Sequence, residues 1–218
     1  MHGYLSSNKS FCNQIPFFSN YFNVFAPDLT GFGENSFMPY PFSLDDYVEE
    51  VANYIKAHSL KTPCVVAHSF GARIVLKGLY DKRLNFEKVV LVGGAGLKSR
   101  FSLRKKARKV VFNTLKLFVK REKLKKFYSP EYLSLNQTMR KSFAKIVSNT
   151  LDYTLPFIDK PVLLIYGDKD RETPLYMAKK LKKNLVNAQL SIYKNAGHFC
   201  FVSEANKFNL EVREFLLS

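Results

Sequence analysis

The sequence contains no tryptophan and only three cysteines in 218 residues. Cys12, Cys64 and Cys200 are odd in number and widely separated, so they form neither a disulfide framework nor a zinc-ligand spacing. No apolar run approaches the ~18 residues that a membrane span needs. No charged and then apolar leader opens the chain, and the expected class is a reduced, cytoplasmic protein. Acidic residues are scarce too, 18 against 34 lysines and arginines, for a formal charge of +16.

That charge would suggest nucleic acid if it were spread over the chain, but residues 1 to 97 carry eight basic and eight acidic side chains. Residues 98 to 126 carry thirteen basic side chains against Glu122 alone. No nucleic-acid module accompanies this one charged segment, so nucleic acid is not expected as a partner. A dinucleotide fingerprint is also missing. Gly31 and Gly33 in "GFG" have no third glycine at the required spacing, which leaves a tight turn as the reading.

What remains is a chain with 46% hydrophobic residues, long enough for one domain that buries roughly 70% of its unfolded surface. Its pattern alternates strands and helices. "YFNVFAPD" (21–28), "TPCVVAHS" (62–69), "EKVVLVGG" (87–94), "PVLLIYGD" (161–168) and "AQLSIYKN" (188–195) are strand candidates. Between them lie helical patterns: 43–60 with Ser43 as N-cap, a segment through Tyr80, one from Pro174 to Asn184, and a closing helix from about residue 203. Continuous Val, Ile and Leu runs separated by helices predict a mostly parallel sheet covered on both faces, an α/β fold.

In "VVAHSFGARI", Ser69 stands where a buried strand gives way to a helix, with Ala67 two residues before it and Gly71 two after. A serine on so sharp a turn is lifted above the sheet, and its backbone tolerates only small neighbours. The ordinary alternative is a serine that merely N-caps its helix. Two more residues favour the first reading. Asp170 follows the strand 161–168 and His198 follows the strand 188–195, so a nucleophile, an acid and a base each sit at the carboxyl end of a different strand. Asp168 competes as the acid. His58 is read as a capping or surface residue, and His68 as a packing residue.

With these motifs the chain resembles the α/β-hydrolase superfamily over nearly its whole length, most closely the small lidded hydrolases common in low-GC Gram-positive bacteria. "HGY" is similar to that family's oxyanion loop, "APDLTGFGENS" to its next strand and turn, "AHSFG" to the nucleophile elbow, "GDKD" to the acid turn and "NAGH" to the histidine loop. Ala67 departs from the usual glycine, and the serine of "GFGENS" falls one place late. The resemblance implies acyl transfer without a cofactor or metal: Ser69 as nucleophile, His198 as base, Asp170 as its orienting acid, and the backbone N–H groups of Phe70 and Tyr4 as oxyanion donors. It implies a small ester-like substrate with a small or medium acyl group. C–C or amide hydrolysis on the same triad, and a catalytically silent or truncated scaffold, are the alternatives.

The expected organisation is a core from residues 1–94 and 158–218, interrupted by a basic helical lid at 95–157. Leu103, Ala107, Val110, Val111, Thr114, Leu115 and Phe118 recur at helical spacing within that lid, with basic residues between them. Its basic face is read as solvated surface, with membrane contact the less favoured reading. A last expectation concerns the opening "MHGY". The related hydrolases run an apolar strand into the His-Gly pair, between the counterparts of 21–26 and 62–67. Without it, either those two segments pair directly or a gap is left, and Tyr4 sits on an untethered terminus. The sequence is accordingly expected to be a truncated form of a longer hydrolase.

Overall fold

The computed structural model describes residues 1–98 and 135–218. The lid helix expected between Leu103 and Phe118 lies outside the described residues. Among the described residues four parallel strands form a sheet: β1 (Val65–His68), β2 (Val89–Val92), β3 (Val162–Gly167) and β4 (Ala188–Tyr193), in the order β1-β2-β3-β4. The helices among them are α1 (Gln14–Phe18), α2 (Leu44–Ala57), α3 (Phe70–Tyr80), α4 (Gln137–Ser148), α5 (Leu175–Asn184), α6 (Cys200–Ser203) and α7 (Ala205–Leu217).

The continuous apolar runs are explained by what each face meets. Val89 and Leu91 of β2 and Val162, Leu164 and Tyr166 of β3 pack into a core completed by α2, α3 and α5. Val90, Val92, Leu163 and Ile165 point the other way, into a second core built on Phe208, Val212 and Phe215 of α7. Strand side chains alternate between faces, so a strand buried on both must be apolar at every position. The helix α2 starts where the sequence places it. Ser43 Oγ accepts the N–H of Asp46, and the Asp46 carboxylate accepts the N–H of Ser43, a reciprocal capping box.

One expected strand does not form. Residues 23–29 adopt no regular secondary structure and belong to no sheet, and Asn23–Asp28 make no backbone–backbone hydrogen bond among the described residues. They do not pair with residues 62–67 either. An extended, β-prone sequence becomes a strand only when a neighbour supplies the ladder, and here a gap takes that place.

Beyond the undescribed segment, α4 docks on the core. Ser142 Oγ donates to Phe42 O at 2.8 Å, and Arg73 of α3 donates to Ile146 O and Asn149 O at 3.1 and 2.9 Å. Leu151 N–H donates to Gly96 O at 2.8 Å, so the two ends of the 95–157 segment meet on the core. Among the described residues no helix is long and apolar enough to cross a membrane.

Candidate active site

Ser69 follows β1 directly with φ 48° and ψ −102°, a strained conformation for a residue with a Cβ. The surroundings impose it. Its N–H donates to Val92 O at 2.9 Å, and its carbonyl accepts from Ala72 and Ala95. The side chain makes no capping bond to α3, which argues against the ordinary N-cap reading. Gly71 is required by close approach: a Cβ there would lie 2.9 Å from Met1 O. Ala67, fully buried, satisfies the small-residue requirement without glycine.

Beyond the neighbouring strands, Asp170 and His198 come together. His198 Nδ1 lies 2.7 Å from Asp170 Oδ2, and both side chains are buried. Asp170 is held by more than this contact. Its Oδ1 accepts the N–H groups of Glu172 and Thr173 at 2.8 and 2.9 Å, and Thr173 Oγ1 lies 2.7 Å from Oδ2. Burial alone would raise this carboxyl, but the hydrogen bonds from His198 and Thr173 outweigh it and keep the group below the usual range. Asp168 makes no such contact; its buried Oδ1 has no hydrogen-bond partner. Gly93 links the pair to the elbow, since a Cβ at Gly93 would lie 3.0 Å from His198 Nδ1, while Ser69 bonds the residue before it.

Three neighbours complete the surroundings of the imidazole, and of these the sequence singles out only His68, as a packing residue. Glu172 Oε2 lies 3.4 Å from His198 Nε2 on a largely exposed side chain. Thr173 closes an Asx-type turn around Asp170, a pattern that the spacing D-x-x-T could have signalled. His68 packs as expected, with its ring centroid 4.6 Å from that of His198, and its Nε2 also donates to His198 O at 3.1 Å. Burial first and the neighbouring His198 second push the His68 imidazole down to about 3, so it stays neutral.

The opening residues are tethered, contrary to the expectation of a loose terminus. Met1 O accepts from His68 N–H at 3.0 Å, and His2 Nε2 accepts from Leu29 N–H at 3.0 Å. Tyr4 packs against Phe32, Phe70 and Phe143, and its hydroxyl donates to Met139 O at 2.9 Å. A Cβ at Gly3 would lie 3.5 Å from Ser69 Cβ, so the "HGY" turn lies against the elbow. Elsewhere, "GFG" forms the expected tight turn with Gly31 and Gly33 at positive φ, and His58 Nδ1 contacts Tyr54 O at the end of α2. Among the described residues, no group of three or more His, Cys, Asp or Glu side chains could hold a metal ion.

The parallel sheet flanked by helices agrees with the comparison to known proteins. The model of the alpha/beta hydrolase family matches residues 1–209, and the chain belongs to that family. The chain is 24% identical over 227 residues to the uncharacterized hydrolase YugF of Bacillus subtilis, covering 91% of this chain and 81% of that protein. Among solved structures, the esterase EaEST of Exiguobacterium antarcticum is similar with a TM-score of 0.78 at 20% identity, over 100% of this chain and 90% of that one. The meta-cleavage product hydrolase CumD of Pseudomonas fluorescens is similar with a TM-score of 0.74 at 22% identity, over 99% and 88%. At these identities the two structures establish the shared fold and no more.

Proposed function

We propose that this family member is a serine hydrolase of carboxylic esters with small or medium acyl groups. One observation carries the reading: a strained serine with no capping duty stands on the strand next to Gly93, which touches a buried Asp170–His198 pair. Ser69 Oγ attacks the ester carbonyl carbon, and its proton passes to His198 Nε2. Asp170 keeps the other proton on Nδ1 and stabilises the imidazolium that forms. The tetrahedral oxyanion is held by the N–H of Phe70, which as the first residue of α3 has no acceptor within the helix, and by the N–H of Tyr4. One such donor lowers the barrier by about 2.7–4 kcal/mol. As the intermediate collapses, His198 returns the proton to the departing alkoxide, leaving an acyl-enzyme that water, activated by the same imidazole, hydrolyses.

The scheme needs no cofactor, and its partner is a small ester. Because the fold does not select the electrophile, the test is a panel of p-nitrophenyl esters, an anilide and a vinylogous diketone, assayed with the parent chain and Ser69→Ala. Ester turnover that disappears in Ser69→Ala is the expected result. Turnover of the diketone alone would move the assignment to C–C hydrolysis. An inert parent would make the chain a silent scaffold.

A further inference from the structure

Glu172 stands beside the triad, and the acyl-transfer scheme leaves it unused. Its Oε2 lies 3.4 Å from His198 Nε2, and its side chain is 68% exposed. The root of that side chain is nonetheless fixed, because the Glu172 N–H donates to Asp170 Oδ1 at 2.8 Å. Two carboxylates therefore flank one imidazole, Asp170 at Nδ1 and Glu172 at Nε2.

The charge of Glu172 is not consumed by its neighbours. With the ring proton held on Nδ1 by Asp170, the neutral imidazole turns a lone pair, not a proton, toward Glu172. The flanking Lys169 and Arg171 are exposed, and among the described residues neither forms an ion pair with Glu172. The surroundings of Nε2 are thus negative in a chain whose formal charge is +16.

Nε2 also decides which half of a substrate meets this charge. It returns a proton to the departing alkoxide, so that oxygen must come within about 3.2 Å of it. The alcohol oxygen then lies within about 7 Å of Glu172 Oε2, close enough for a substituent two carbons further on to touch the carboxylate. An exposed hydrogen bond there only replaces one to water, whereas a full charge is attracted or repelled.

We propose that Glu172 is a specificity-determining residue that selects esters whose alcohol half carries a positive charge, such as amino-alcohol or quaternary-ammonium esters, and disfavours anionic alcohols. This rests on the ester-hydrolase reading and names a substrate class within it.

The test uses three butyrates that differ in the alcohol: choline butyrate, its neutral isostere with carbon in place of nitrogen, and sulfoethyl butyrate. Values of kcat/KM are compared as ratios within the parent and within Glu172→Gln, at low and at physiological salt. In the parent the cationic ester should exceed the neutral one, and the neutral one the anionic, by about two- to fivefold at each step, the range of an exposed ion pair. Glu172→Gln should bring both ratios close to one, and added salt should shrink them in the parent. A matched pair of ethyl esters, with the quaternary nitrogen equally many bonds from the carbonyl carbon but in the acyl half, should discriminate less. Ratios that survive Glu172→Gln, or equal discrimination by a charge in the acyl half, would overturn the proposal and leave ester hydrolysis standing. If none of the esters turns over and Ser69 takes no fluorophosphonate, the ester reading fails and the selection falls with it.

Discussion

Replacing Asp170 by asparagine changes one atom, and the structure dictates where that atom goes. Oδ1 accepts two backbone N–H groups, from Glu172 and Thr173, while Oδ2 faces His198 Nδ1. An amide nitrogen cannot accept, so the asparagine oxygen must stay with the backbone donors and the NH2 must point at Nδ1. His198 then accepts on Nδ1, carries its proton on Nε2, and has no lone pair for Ser69. The flipped amide would restore the useful tautomer but leave two buried donors unsatisfied, at about 1–3 kcal/mol each. The loss in kcat should therefore lie between ~10² and ~10⁴-fold, the upper figure being that of a triad locked in the wrong tautomer. The assay is steady-state hydrolysis of a p-nitrophenyl ester by Asp170→Asn and Asp168→Asn, with thermal midpoints confirming that both fold. Asp168→Asn should stay within about threefold of the parent, since Asp168 does not touch the imidazole. A loss below about tenfold in folded Asp170→Asn, or equal losses in the two variants, would refute the reasoning.

Two further outcomes follow from the same geometry. Glu172 puts a carboxylate 3.4 Å from His198 Nε2, so Glu172→Gln should raise kcat/KM for an anionic ester by about two- to fivefold at low salt and leave a neutral ester nearly unchanged; an equal change for both substrates would remove the electrostatic role. Stability should fall with acidification: burial holds His68 at about 3 against 6.5 when exposed, so the unfolded chain binds this proton first. The His68 contribution is complete above about pH 7 and is lost at up to roughly 1.4 kcal/mol per pH unit below about 6.5; a His68→Gln variant whose urea midpoint falls as steeply as the parent's between pH 6.5 and 4 would contradict the buried neutral imidazole.

How much of this was legible in the sequence depended on whether the determinants were local. The strands β2 and β3 announce themselves because burial on both faces demands unbroken apolar runs, and α2 because Ser43 and Asp46 cap it reciprocally. Residues 21–28 mislead because strand formation is decided by a neighbour, and no residue pattern within the segment reports that the neighbour is missing. At the site, Ser69, Asp170 and His198 could be picked out because each follows its own strand in chain order. Their supports could not. Glu172 and His68 reach His198 only once the strand ends are brought together, and the tether of Met1 to β1 depends on backbone atoms, which a sequence does not distinguish.

The central claim is that Ser69 is a nucleophile activated by His198, and covalent capture tests it most directly. The folded chain is treated with a fluorophosphonate, and the adduct is located by peptide mass spectrometry in the parent, Ser69→Ala and His198→Ala. The account predicts a single adduct on Ser69 in the parent and none in either folded variant. An adduct elsewhere, or labelling that persists in Ser69→Ala, would contradict it.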